Sequence, residues 1–468
     1  MPDRNNTELL PSEQEDYINR LGDVLMYRYG TEHPKAFIHT YGCQQNVADS
    51  EKLKGMLEKA GCELTEDKES ADIIIFNTCA VREHAEDRVF GNVGALKALK
   101  RSRPSLLIAL CGCMMEQEHI AEKIYKSFPY VGLVFGTHVI HRFPELLYNA
   151  MTTGKRRIER GIDDGKIYEG IPVHRDGSFK GWLPVMYGCD NFCTYCIVPY
   201  VRGRERSRRP ETVIEEARSM INAGYKEITL LGQNVNSYGK GLDSDVRFPQ
   251  LLKSVADIEG DFWLSFMTSH PKDASKELID VIAESPKISP HLHLPFQNGS
   301  DRILKLMNRH YDVEKYLDIV SYAKSRIKGL ELTSDVIVGF PGETEEDFQG
   351  TLDLIEKVGF TSLFTFIYSP RVGTPAARLD DPYTHAVKAE RMGRLLKLQE
   401  QISAKRTAAM VGKRMRVLIE EQAREGILNA RTHGGVVAEV PGDASQIGGF
   451  AEAEITEARN FILRGKLL

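Results

Sequence analysis

No stretch of the 468-residue sequence approaches the roughly 18–20 consecutive apolar residues needed to span a bilayer. The opening segment MPDRNNTELLPSEQEDY also lacks the apolar centre of a secretory signal. Both absences lead to an expected cytoplasmic location. A surplus of positive charge is missing too. The formal net charge is −5, which excludes a chain-wide basic surface for nucleic acid and leaves any such contact to local patches. Cysteine is scarce, with eight in all: Cys43, Cys62, Cys79, Cys111, Cys113, Cys189, Cys193 and Cys196. In a reducing compartment these read as metal ligands or buried thiols rather than disulfides.

What is present is the pattern of a multidomain α/β protein. Hydrophobic residues at 42% and charged residues at 27% are ordinary for a globular chain, and the length predicts about two to four domains. Residues 1–34 are polar and weakly periodic, and are expected as a loosely docked extension. From 35 to 150, apolar strands at 36–41, 71–77, 105–110 and 131–135 alternate with helical stretches, which predicts a parallel sheet covered on both faces. A charged, glycine-containing segment at 151–178 reads as a linker. From 179 to 407, six further βα units, with strands near 183–187, 228–231, 263–267, 291–295, 333–338 and 363–368, predict a partial (β/α)6 barrel followed by a long charged helix. The tail, 408–468, changes to short strands with glycine and proline turns, the profile of a small all-β, OB-like barrel.

The cysteines fall into two threes. Cys189, Cys193 and Cys196 stand as Cys-x3-Cys-x2-Cys just past the first barrel strand, so one curled loop can aim three thiolates at one place. Three thiolates on a four-iron cluster leave one iron for a substrate. A zinc knuckle with a remote fourth ligand, or three ordinary buried thiols, would show the same spacing. Cys43, Cys79 and Cys113 are far apart, but each follows a strand of the N-terminal sheet. Parallel strands bring such positions to one edge, where α/β folds bind ligands. Buried core cysteines are the competing reading, and Cys62 and Cys111 are expected to be such.

Polar residues end several barrel strands: Gln233 and Asn234, Ser269 and His270, Gln297 and Asn298, and the loop Gly339 to Glu343. In parallel barrels these ends form the ligand site, and glycine there lets backbone approach a nucleoside. Arg202, Arg204 and Arg206, with Arg208 and Arg209, follow the three-cysteine loop and are expected to contact RNA phosphates or S-adenosylmethionine, with pairing to local carboxylates such as Glu205 as the competing reading. Lys413, Arg414 and Arg416 open the tail barrel and are expected to do the same. Arg82, His84 and Arg88, after Cys79, are expected to line the pocket of the other thiol set.

Cys-x3-Cys-x2-Cys resembles the signature of the radical S-adenosylmethionine superfamily. The whole chain from about 35 to 468 is similar to the methylthiotransferases within it: a cluster domain, a radical core and a C-terminal TRAM barrel. The segments YGCQQNVADSEKL, NTCAVREHAEDRVFGNVGAL and MYGCDNFCTYCIVPYVRGRERSRRP resemble the tRNA-2-methylthio-N6-dimethylallyladenosine synthase branch, the MiaB type. Gln45 departs from it, standing where that branch usually shows Met. The resemblance implies two 4Fe-4S clusters, on Cys189/Cys193/Cys196 and on Cys43/Cys79/Cys113, with S-adenosyl-L-methionine at the first and a sulfur atom at the second. It places Tyr195 near the adenine of S-adenosylmethionine. It implies methylthiolation at C2 of N6-isopentenyladenosine beside the tRNA anticodon, with a flavodoxin or ferredoxin-type protein supplying electrons. A methylthiotransferase acting on threonylcarbamoyl-adenosine or on a ribosomal-protein aspartate would share the cysteines. A non-catalytic iron–sulfur RNA-binding protein would not cleave S-adenosylmethionine.

Overall fold

The computed structural model describes residues 6–31, 33–80, 83–161 and 164–468. Six parallel strands make the N-terminal sheet, in the spatial order Glu63–Leu64, Lys35–Tyr41, Ile73–Thr78, Leu107–Gly112, Leu133–Phe135, Arg157–Glu159. Alternate side chains of the central strands feed two cores. Ile73 and Ile75 pack with Leu53, Leu57 and Phe143 on one face, while Ile74 and Phe76 pack with Val89, Val93 and Ile120 on the other. Strands buried on both faces explain the unbroken run Ile73–Phe76. The chain order reverses between Lys35–Tyr41 and Ile73–Thr78, and such a switch point opens a crevice at the carboxyl ends of the strands.

The expected loose extension at 1–34 is not loose. Helix Ser12–Tyr29 buries Ile18, Leu21 and Leu25 against helix Phe143–Thr153, and Asn6–Leu9 pairs in parallel with Lys166–Glu169. Spacing of i, i+3 and i+7 puts those three apolar residues on one helical stripe, which a polar average conceals. The segment expected as a linker at 151–178 likewise supplies two strands, Arg157–Glu159 and Lys166–Glu169.

The middle of the chain is an open six-stranded parallel barrel. Lys180–Pro184, Glu227–Leu231 and Trp263–Phe266 form one half, and His291–His293, Glu331–Val338 and Ser362–Ile367 the other. A parallel bridge between Leu264 and Ile288 joins the halves. Residues 414–467 close into a five-stranded barrel. This tail barrel docks where the strands of the open barrel begin. His433 stacks on Trp263 with ring centres 4.6 Å apart, Arg416 pairs with Asp261 at 2.6 Å, and the Ser289 hydroxyl donates to the His433 carbonyl at 2.5 Å. No described helix is long and apolar enough to cross a membrane.

Candidate active site between two thiol loops

Cys43, Cys79 and Cys113 each follow the carboxyl end of a central strand at the switch point. Buried amides stitch the three ends together. Cys43 Sγ donates to Asn46 Oδ1 at 3.4 Å. Asn46 Nδ2 donates to Asn77 Oδ1 at 3.1 Å, and Asn77 Nδ2 returns to the Asn46 carbonyl at 2.8 Å. The Thr78 hydroxyl donates to the Cys111 carbonyl at 2.6 Å, which ties in the third strand. Gly112 turns the chain into Cys113 with φ 97°, and a Cβ there would strike Asn77 Oδ1 and the Thr78 carbonyl, so only glycine fits. Cys113 lies close enough to its companions that they act on its charge. Burial pushes its thiol up to about 12, Arg202 opposes this, and Cys79 and Cys43 add to it.

The second loop, 189–196, lies at the carboxyl ends of the barrel strands. Burial pushes the Cys196 thiol up to about 12, helped by Cys193, and raises Cys189 as well. Arg309, itself buried, donates from Nη1 to Cys193 Sγ at 3.3 Å. The backbone at this mouth is held in sparsely populated conformations at Phe192 (φ 46°), Thr268 (φ 73°) and Gln297 (φ 66°), the kind of strain that gathers at ligand sites. The two thiol loops face each other. Ile197, next to Cys196, and Val201 pack directly on Cys113 and Ala80.

The donor sets fit iron–sulfur clusters. Thiols that burial disfavours ionising, as at Cys113 and Cys189, become good ligands when a metal compensates the thiolate charge. Among the described residues, no three Cys, His, Asp or Glu side chains close on a point within reach of a single metal ion. A multi-iron cluster takes each thiolate on a different iron, so its ligands stand further apart than those of zinc.

Most of the strand-end residues singled out from the sequence gather at this mouth, in roles of two kinds. Gln233 Oε1 accepts from the Gly188 amide at 2.5 Å, and its Nε2 donates to Gln45 Oε1 at 3.4 Å, so it spans both loops. Asn234 binds Asp273 at 2.8 Å, while its Oδ1, Ser269 Oγ and His270 Nε2 are buried with no hydrogen-bond partner within the protein. Such orphaned polar atoms are costly unless a ligand meets them, and they suit the amino, carboxylate and ribose groups of S-adenosylmethionine. Gly339 (φ 72°) donates its amide to Glu343 Oε2 at 2.7 Å, and the buried Glu343 is held by Asn298 and Arg391. Gln297 pairs with Val336 through the backbone. Tyr195 packs with Ile303, Met307, Phe340 and Tyr368, beside the cysteine loop.

The arginines need correction. Arg202 is not on an RNA-facing surface. It is 5% exposed, donates from Nε to Cys113 Sγ at 3.0 Å and pairs through Nη1 with Asp49 at 2.7 Å. Arg206 is also buried, and donates to the Arg202 carbonyl at 3.2 Å. Arg208 is buried between Glu169 and Glu216, at 2.7 Å from each. Arg204 is exposed, paired with Asp190 at 2.6 Å and lying over the Phe192 ring; Arg209, Lys413 and Arg414 are exposed. Arg88 is exposed on its helix; Arg82 and the His84 side chain lie outside the described residues. Sequence reasoning missed Asn46, Asn77 and Arg309. The contacts that give them meaning join residues 31 and 116 positions apart, and no local spacing announces those.

Residues 183–355 match the radical SAM superfamily, 35–136 match uncharacterized protein family UPF0004, and 408–468 match the TRAM domain. In fold, the chain is similar to a radical S-adenosylmethionine methyltransferase, TsrM, from Kitasatospora setae, with a TM-score of 0.56 at 14% identity over 74% of this chain and 77% of that one. The class is therefore that of radical S-adenosylmethionine proteins. The chain is 51% identical over 433 residues to a tRNA-2-methylthio-N(6)-dimethylallyladenosine synthase of Thermoanaerobacter pseudethanolicus, covering 92% of each. It is 51% identical to one of Clostridium botulinum (92% and 96% covered) and 50% identical to one of Clostridium perfringens (92% and 97%). It belongs to the tRNA-2-methylthio-N(6)-dimethylallyladenosine synthase family. Membership carries 4Fe-4S clusters and S-adenosylmethionine as cofactors.

Proposed function

We propose that this protein adds a methylthio group to C2 of N6-dimethylallyladenosine beside the tRNA anticodon. The observation that carries the reading is the packing of Ile197 and Val201, just past the 189–196 loop, on Cys113 and Ala80 at the strand ends of the other three-thiol set. Structural metal sites are closed by four protein ligands, whereas each thiol set here supplies three. The clusters and S-adenosylmethionine supply a methyl group, a transferable sulfur and a radical able to take an unactivated aromatic hydrogen.

The chain's own residues hold and orient these reactants. Cys189, Cys193 and Cys196 anchor one cluster and Cys43, Cys79 and Cys113 the other. Asn234, Ser269 and His270 present the unpaired polar atoms to S-adenosylmethionine, the Gly339 turn brings backbone close to it, and Tyr195 and Gln297 flank it. Gln233 couples the two loops. Arg204 at the mouth and Lys413 and Arg414 on the tail barrel are the cations for RNA phosphates. The tail barrel meets the strand starts and the thiols follow the strand ends. An RNA touching both spans at least one barrel strand, about 17 Å, which a stem-loop does easily. The setting is the cytoplasm, with a flavodoxin or ferredoxin-type reductant.

The test is anaerobic incubation of the reconstituted protein with S-adenosylmethionine, a low-potential reductant and a dimethylallylated anticodon stem-loop, followed by nucleoside mass analysis. The methylthiolated nucleoside is expected. Absence of that product, or modification of threonylcarbamoyl-adenosine or an aspartyl protein instead, rejects the reading.

A further inference from the structure

The last barrel strand, Ser362–Ile367, pairs on one side only, with Glu331–Val338. Its Phe364 and Phe366 are 52% and 51% exposed, unlike nearly every other phenylalanine of the barrel. They do not point out toward the helices. On the neighbouring strand, Leu332, Val336 and Val338 enter the helix-covered core, and Leu363 packs against that core. Phe364 instead lies in register with Asp335 and edge-on to the His293 ring, centres 5.7 Å apart. Successive strand side chains alternate faces, so Phe364 and Phe366 stand on the concave inner face.

That face leads to the thiol loop. Two residues beyond Phe366 on the same face is Tyr368, which packs with Tyr195 in one apolar cluster. A strand rises about 3.3 Å per residue, so Phe366 lies about 7 Å below Tyr368. Beside Phe364 the inner face is polar, with His293 and Thr333 hydrogen-bonded at 2.9 Å and Asp335 partly exposed, while Phe366 lies in register with the buried Ile337. Among the described residues of the barrel strands, Phe364 and Phe366 are the exposed large apolar side chains, directly below the reactive loop.

We propose that Phe364 and Phe366 are the specificity seat for the N6-dimethylallyl chain of the target adenosine, an inference that rests on the function proposed above. The chain is branched and apolar, while the adenine edges are polar. A base drawn out of an anticodon loop is held by stacking on aromatic rings and by contacts to its exocyclic groups. With the alkyl chain on the two rings, the adenine is left between His293 and Asp335 below and the thiol loop above.

Binding without reductant tests the seat independently of the chemistry. Anticodon stem-loops carrying either adenosine or N6-dimethylallyladenosine are titrated by fluorescence anisotropy into wild type, F364S/F366S and F364L/F366L. Wild type is expected to prefer the dimethylallylated loop by about 10- to 100-fold, the range a few apolar contacts give. The serine pair loses most of that preference and the leucine pair keeps most of it. Both rings are exposed, so equal melting temperatures across the three proteins are expected. A serine pair that keeps the full preference, or a wild type without preference, overturns the seat. Product formation by wild type separates this from the wider reading: product with an unchanged serine pair rejects the seat alone, whereas no product from the dimethylallylated loop rejects the function.

Discussion

The Arg202 guanidinium, carried by the radical core, donates from Nε to the Sγ of Cys113 in the N-terminal domain at 3.0 Å. Its Nη1 pairs with Asp49 at 2.7 Å, and its Nη2 is buried with no partner within the protein. One residue therefore joins two domains, neutralises a buried carboxylate and touches a thiol of the proposed second cluster site. Hydrogen bonds to cluster sulfurs and nearby positive charge raise a cluster's reduction potential. In a C189A/C193A/C196A background, Arg202→Gln is expected to lower the potential of the remaining cluster, read by an electron paramagnetic resonance redox titration. It also leaves Asp49 buried and unpaired, which costs about 3–5 kcal/mol in a denaturant melt. An unchanged potential would mean that the contact is only structural.

Gly112 sets the turn that delivers Cys113. A methyl group there strikes Asn77 Oδ1 and the Thr78 carbonyl, and the backbone must leave φ 97°. Gly112→Ala is expected to lose about half of the reconstituted iron while retaining reductive cleavage of S-adenosylmethionine, because the barrel loop is untouched. Iron analysis and 5′-deoxyadenosine quantification check this, and loss of both activities together would contradict it.

Gln233 acts at the junction of the two loops. Its Oε1 fixes the Gly188 amide at 2.5 Å, one residue before Cys189, and its Nε2 reaches Gln45 at 3.4 Å. Gln233→Ala frees the start of the cysteine loop and is expected to slow 5′-deoxyadenosine formation about 10-fold, with iron content retained. Gln45→Met removes only the weaker, longer contact and is expected to change that rate less than about 2-fold. A larger effect of Gln45→Met than of Gln233→Ala would reverse the assignment.

Stability should fall in mild acid. Burial holds His141, His291 and His433 down to about 4. The unfolded chain takes up these protons near pH 6.5, before the folded one can, so the folded state loses ground as pH falls from about 6.5 toward 4. His433 stacks on Trp263 at the seam with the tail barrel. Melting temperatures between pH 7.5 and 4.5 should therefore decline, and His433→Asn should flatten part of the slope. A pH-independent melting temperature over this range would refute the account.

That Cys43, Cys79 and Cys113 stand past the ends of neighbouring parallel strands was legible in the sequence, because each follows an apolar run. The parallel sheet, the six-stranded open barrel and the small tail barrel followed from the same periodicities. Arg202 and Arg206 misled for a physical reason. A cluster of arginines after a cysteine loop reads as cationic surface until a second domain, with Asp49 in it, is known to dock there. Helix Ser12–Tyr29 was obscured by the polar residues around its apolar stripe. The asparagine network at the switch point was invisible, since Asn46 and Asn77 meet only when the strands pair.

The most direct test is the iron and sulfide content of anaerobically reconstituted wild type, C189A/C193A/C196A and C43A/C79A/C113A. Two independent four-iron clusters predict about eight irons per chain in wild type and about four in each variant. About eight irons retained in either variant, or none in both, would contradict the claim that the six cysteines form two separate three-thiol sites.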